Sequence, residues 1–167
     1  MTAVLVAALP AISIAQAANA GLDDPTIVGI FDAANGWDIA TGTLAASKAS
    51  TAEVRDFGKQ LARDHKTLQE QGRELARKLG VTPVPVGGDF ALRKDYDATM
   101  KKLRGLSGPQ FDKAFLEHEV AYHQAVIDAV TKQFLPAIKN AELKAFVAKV
   151  APAFEGHMKM AEHLLSK

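Results

Sequence analysis

Five histidines and no cysteine set the chemistry open to this chain. Without Cys there is no disulfide, no thiolate nucleophile and no Cys-type zinc site, so a metal must be held by imidazole and carboxylate. At about 100° per residue on a helix, His65 falls at the centre of the apolar face formed by Val54, Leu61, Leu68, Gly72, Ala76 and Leu79. His123 does the same among Leu116, Val120, Ile127, Val130 and Phe134, with Glu119 one turn earlier on nearly the same face. His157 does so among Phe146, Val150, Ala153, Ala161 and Leu164. The matching inward polar residue on the first helix is Asp38, in the stripe of Ile27, Phe31, Ala34 and Ala45. His118 and His163 fall off these faces among charged neighbours and read as solvated.

A single histidine on an apolar face is more often a hydrogen-bonded core residue than a ligand. Convergence alters that judgement. An unpaired buried polar group costs about 1–3 kcal/mol, and one carboxylate does not accept from three rings at once. A divalent transition metal, Zn²⁺, Fe²⁺ or Cu²⁺, satisfies Asp38, His65, Glu119, His123 and His157 together. The alternative is a metal-free structural or interaction module whose His/Asp network is held by hydrogen bonds. A third, weaker reading is an enzyme, with a coordination position left for water. Met158 and Met160, beside His157, read as packing rather than copper ligands.

These side chains need elements to position them, and the periodicity supplies helices. Apolar spacings of three, four or seven predict a helix from about 25 to 49. Ser50 with Glu53 forms a capping box opening a second helix, which Gly80 stops at Leu79. Pro83, Pro85, Gly87 and Gly88 mark a loop, followed by a short helix from about Phe90 to Arg104. Ser107 with Gln110 forms another capping box before a long helix reaching the neighbourhood of Pro136, and Asn140 caps the last, which runs to Leu165 with Pro152 inside it. The expected fold is all-α: a ferritin-like four-helix bundle with an extra short helix between the second and third long helices. Counting from the turns at 1.5 Å per residue, Asp38 and His65 lie roughly 18–22 Å from one end, and His123 and His157 roughly 24–27 Å from the other. All four are expected near mid-bundle.

The first 20 residues carry no charge, and charged residues recur from Asp23 onward. The apolar run from Ala3 to Ile14 has the length of a signal-peptide core, and small residues at Ala15 and Ala17, or Ala18 and Ala20, make A-x-A cleavage sites. Residues 1–20 are therefore expected to be a signal peptide, residues 21–167 one domain, and the protein periplasmic or otherwise exported, with no stable membrane span once the leader is removed. With 20 Lys+Arg against 19 Asp+Glu and no basic run, no nucleic-acid partner is expected. There is no G-x-S-x-G, P-loop or G-x-G-x-x-G, and the run from His118 to Tyr122 lacks the second His of a zinc-protease helix. The missing E-x-x-H argues against a carboxylate-bridged di-iron oxidase.

Three stretches, AANGWDIATGTLAASKASTAEVRDFGKQLARDH from Ala33 to His65, FDKAFLEHEVAYHQAVI and LKAFVAKVAPAFEGHMKMAEHL, resemble the DUF4142 family of exported bacterial proteins. The most specific parts are Asp64-His65, the segment from Lys48 to Val54, and His157 after the Ala-Pro segment. The resemblance implies a ferritin-like helical bundle with a site at these positions and names no reaction. The family usually carries Glu where this chain has Asp38, and an Asp-His pair where it has Tyr122-His123. The first change keeps a ligand of shorter reach, and the second removes a possible partner for the His123 ring.

Overall fold

The computed structural model describes residues 21–167, so the expected signal peptide at 1–20 lies outside the described residues. The described chain is all-helical, in the order α1 (Asp24–Lys48), α2 (Ala52–Leu79), α3 (Ala91–Gly105), α4 (Gly108–Ala129), a π-helical turn (Val130–Phe134), α5 (Leu135–Ala137) and α6 (Ala141–Leu165). No described helix is long and apolar enough to cross a membrane.

The helix starts follow capping chemistry. Asp23 accepts from the Thr26 N–H at 2.9 Å, and Asn140 Oδ1 accepts from Glu142 and Leu143 N–H at 2.9 and 3.1 Å. The second helix corrects the sequence reading by one residue: Thr51, not Ser50, is its cap. Ser50 is taken elsewhere, donating its hydroxyl to Asp112 Oδ2 at 2.8 Å. Ser107 caps α4 without a side-chain bond, so the second expected capping box is absent. Gly80 closes α2 in the left-handed region at φ 66°, where its N–H reaches the carbonyls of Ala76 and Arg77. The long helix expected up to Pro136 is interrupted by the π turn, in which Leu135 N–H reaches back five residues to the Val130 carbonyl. Pro136 supplies a local cause, since it has no N–H to donate and its ring crowds the carbonyl one turn earlier.

Two aspartates fix the directions of the long helices. Asp112, near the start of α4, accepts from Ser50 N–H at 2.7 Å and Thr51 N–H at 3.0 Å, which sets the start of α4 at the α1–α2 turn. Asp24, at the start of α1, accepts from Lys139 and Asn140 N–H, both at 2.9 Å, which sets the α4–α6 turn at the opposite end. α1 and α6 therefore run one way, and α2 and α4 the other. The connection from α2 to α4 must cross from end to end: Val84 N–H bonds the Pro25 carbonyl at one end, and the Lys48 ammonium bonds the Leu103 carbonyl at the other.

α1 and α2 pack backbone to backbone at Gly42 and Gly58. A Cβ on Gly42 would lie 2.7 Å from the Gly58 carbonyl oxygen, and one on Gly58 2.7 Å from the Gly42 oxygen, so neither position admits a side chain without separating the helices. Asp38 stands one turn before Gly42 and His65 two turns after Gly58 in this antiparallel pair, and the close crossing brings them face to face. An apolar cluster including Ile27, Phe134, Leu143 and Val147 fills the Asp24 end. Another, including Ala45, Phe57, Leu61, Phe111 and Phe115, fills the Ser50 end. Between them lies a layer of buried polar side chains. α3 covers its flank, stacking Tyr96 on Trp37 at 5.7 Å.

Candidate metal centre

His65, His123 and His157 meet in this layer, each 4% exposed or less. One nitrogen of each ring lies within 4.8 Å of the others. His65 Nε2 is 3.2 Å from His157 Nδ1, 3.4 Å from His123 Nε2 and 3.2 Å from Asp38 Oδ2, and His123 Nε2 is 3.7 Å from the same carboxylate oxygen. The three inward histidines and Asp38 thus come together as the spacing predicts.

The outer nitrogens carry the next step. Asn35 donates its amide N–H to the Phe31 carbonyl, which turns its Oδ1 to accept from His65 Nδ1 at 2.9 Å. His123 Nδ1 donates to the Glu119 backbone carbonyl at 2.9 Å, and His157 Nε2 to Asp64 Oδ2 at 3.3 Å. Each ring spends its single proton outward, so each presents a lone pair to the centre. Asn35 and Asp64 are the residues that sequence reasoning missed. Asn35 sits one turn before Asp38 on the same face. Asp64 adjoins His65 in sequence yet serves a histidine on another helix, which no spacing reveals. The His123 ring takes its partner from the backbone, so Tyr122 leaves it unharmed and donates its own hydroxyl to the Ala34 carbonyl at 3.0 Å.

Glu119 belongs to a second group, in which oxygens of Asp38 and Glu119 and a nitrogen of His123 fall within 4.8 Å, and its Oε2 is 3.4 Å from His123 Nδ1. Asp38 Oδ1 and both Glu119 oxygens are buried with no hydrogen-bond partner. Burial pushes the Asp38 carboxyl up to about 8, partly opposed by its interaction with the neighbouring Glu119 carboxyl, and burial with the nearby Asp38 pushes Glu119 well above the usual carboxylate range. Burial pushes the imidazoles the other way: His65 falls well below its ordinary value, helped by the neighbouring His123 and His157, and His123 falls to about 3. His157 is lowered less, because Asp64 opposes its burial. At neutral pH the rings are neutral and metal-competent.

His163 is exposed, as the sequence implies, but His118 is not solvated. It is half-buried, its ring centroid 5.4 Å from that of Tyr122, and burial lowers its basicity. Met160 is exposed rather than packed.

An all-helical protein with three imidazoles converging in its interior is the class these observations define. The model described as "Domain of unknown function (DUF4142)" matches residues 9–164, nearly the whole chain, and the chain belongs to that family. No curated protein and no solved structure matches it.

Proposed function

We propose that the protein is an exported, ferritin-like four-helix bundle that binds one divalent transition metal through His65, His123, His157 and Asp38, in metal handling or stress protection. The helix directions given above, with one long crossover between the second and third long helices, support the ferritin-like reading. The leading segment at 1–20 supports export to the periplasm.

The observation that carries the metal reading is the convergence of three lone pairs whose rings have all spent their protons outward. A tetrahedral ion with bonds of about 2.0–2.1 Å has edges of roughly 3.3 Å. Four of the six edges among these donors, at 3.2, 3.2, 3.4 and 3.7 Å, are close to that value, and the ring nitrogens of His123 and His157 lie within 4.8 Å of each other. Asn35, the Glu119 carbonyl and Asp64 are then the outer partners that fix the orientation and basicity of ligating histidines. Glu119 itself approaches the outward nitrogen of His123, Nδ1, at 3.4 Å and so lies outside the four-donor set. Such a centre suits Zn²⁺, Fe²⁺ or Cu²⁺.

A metal-free network is the second reading, and one observation favours it. With its acidity suppressed to about 8, Asp38 is protonated at neutral pH and has a proton to donate to His65 Nε2. One proton serves one of the three lone pairs, however, whereas a metal serves all. Thermal unfolding and elemental analysis of protein purified without chelators test the proposal. Bound metal, with a melting temperature raised by its addition, is expected; an unchanged melting temperature with Zn²⁺, Fe²⁺ and Cu²⁺ overturns it.

A further inference from the structure

A cavity of about 30 Å³ opens beside the polar layer. Asp38 and His65 form its wall toward the centre, and Ala129, Val130, Phe134 and Phe154 form others. Asn35 and Tyr122, which also border it, turn their hydrogen-bonding atoms elsewhere, Asn35 to His65 and the Phe31 carbonyl and Tyr122 to the Ala34 carbonyl. A buried water needs two to four polar partners, and this lining offers almost none, so the space favours an apolar occupant. One water-sized sphere needs about 10–15 Å³, which makes the cavity roughly two spheres in size, the dimensions of a diatomic molecule.

The way the wall is built points in the same direction. Val130 and Phe134 open and close the π turn of the α4 segment, and Ala129 directly precedes it. Pro136 holds that departure from α geometry in place. The space is thus a product of the helix path, which breaks where it passes Asp38 and His65. π turns inside α-helices occur often at functional sites, because the extra residue re-aims the side chains that follow.

We propose that this cavity binds a small uncharged molecule of diatomic size, the class to which dioxygen and nitric oxide belong, and delivers it to the metal. The delivery rests on the metal reading above; binding in the cavity does not.

Xenon, an apolar atom of suitable size, probes the cavity without metal. Crystals of the metal-free protein under xenon pressure are expected to show one xenon between Phe134 and Phe154. Ala129→Leu, which fills the space from one wall, is expected to lose it, and Val126→Phe, which fills it from a second wall, guards against a misfolded first variant. An empty wild-type cavity, or xenon retained in a folded filled variant, overturns the proposal. Fe²⁺-loaded protein exposed to nitric oxide tests delivery: a paramagnetic resonance signal from the iron, at least tenfold weaker in affinity in the filled variant, is expected. Loading without that signal overturns delivery. Failure to load iron or any other metal overturns the metal reading and with it delivery, while the xenon result still decides the cavity.

Discussion

Asp112 and Asp38 are both buried between helices, at 6% and 2% exposure, and their surroundings treat them in opposite ways. Asp112 receives two backbone N–H groups and a hydroxyl from the α1–α2 turn. Burial works to raise its acidity constant, yet those bonds outweigh burial and hold it below the usual range. Asp38 receives no N–H from the backbone; its Oδ2 faces imidazole lone pairs and its Oδ1 has no partner, so burial prevails and the carboxyl is pushed up to about 8. A carboxylate that ties the fold together is surrounded by donors. Asp38 is surrounded by acceptors, so it is left to hold a proton or a cation, and the fold tolerates it because the apolar clusters above and below supply the stability.

The comparison breaks most visibly by substitution. Asp112→Ala leaves the Ser50 and Thr51 N–H groups without their acceptor and is expected to cost about 3 kcal/mol, measured by urea unfolding and equal with and without metal. Asp38→Asn is expected to leave the metal-free protein at least as stable as wild type, because it removes a carboxyl that resists ionisation. A loss as large as that of Asp112→Ala would show that Asp38 also ties the fold together.

Metal sharpens the contrast from the other side. Zinc at about 100 times its dissociation constant is expected to stabilise the wild type by about 2.7 kcal/mol, read as a rise in melting temperature, and to do nothing for His123→Ala. An equal rise in both proteins places the metal elsewhere.

pH separates the two aspartates by sign. Asp38 has its folded acidity constant raised from 3.8 to about 8, so its contribution to metal-free stability is full below about 4 and is lost as pH rises through about 8. Asp112 is lowered, so its contribution is present above its unfolded value of 3.8 and lost as pH falls through its lower folded one. The lowered histidines lose theirs as pH falls below about 6.5. Unfolding from pH 6.5 to 9 is expected to show a decline in the wild type that Asp38→Asn removes. Zinc affinity is expected to fall about tenfold per unit as pH drops below 8, as binding displaces the Asp38 proton, measured by titration calorimetry in two buffers.

The smallest effects belong outside the polar layer. His163→Ala is expected to change stability by less than about 0.5 kcal/mol, whereas His118→Ala, losing its contact with Tyr122, is expected to cost up to about 1 kcal/mol. Neither should alter the zinc-induced rise in melting temperature.

The helices and the inward set were legible in the sequence because each depends on periodicity within one element. Asp38, His65, Glu119, His123 and His157 could be placed on faces, and counting residues from the turns placed most of them at one height. His118 was misplaced because a helix face says what one helix offers, not what covers it: Tyr122, one turn away, shares its surface, and burial follows. Ser50 was misplaced for a related reason. Its capping signal was real, but Asp112, 62 residues away in sequence, competed for it and the cap moved to Thr51.

The sequence by itself therefore determined that this chain is helical, that it has no thiol chemistry, and which polar side chains face inward, since helical period and composition are local properties. Tertiary structure decided what those side chains face. The Gly42–Gly58 crossing sets Asp38 against His65, the path of the α2–α4 connection sets the direction of α4, and contacts across helices give His65 to Asn35 and His157 to Asp64. It also decided that Glu119 meets the outward nitrogen of His123 rather than the point where the three rings converge. Such pairings depend on helix order, direction and rotation, which are set by packing of the whole chain and leave no mark on the spacing of any one segment.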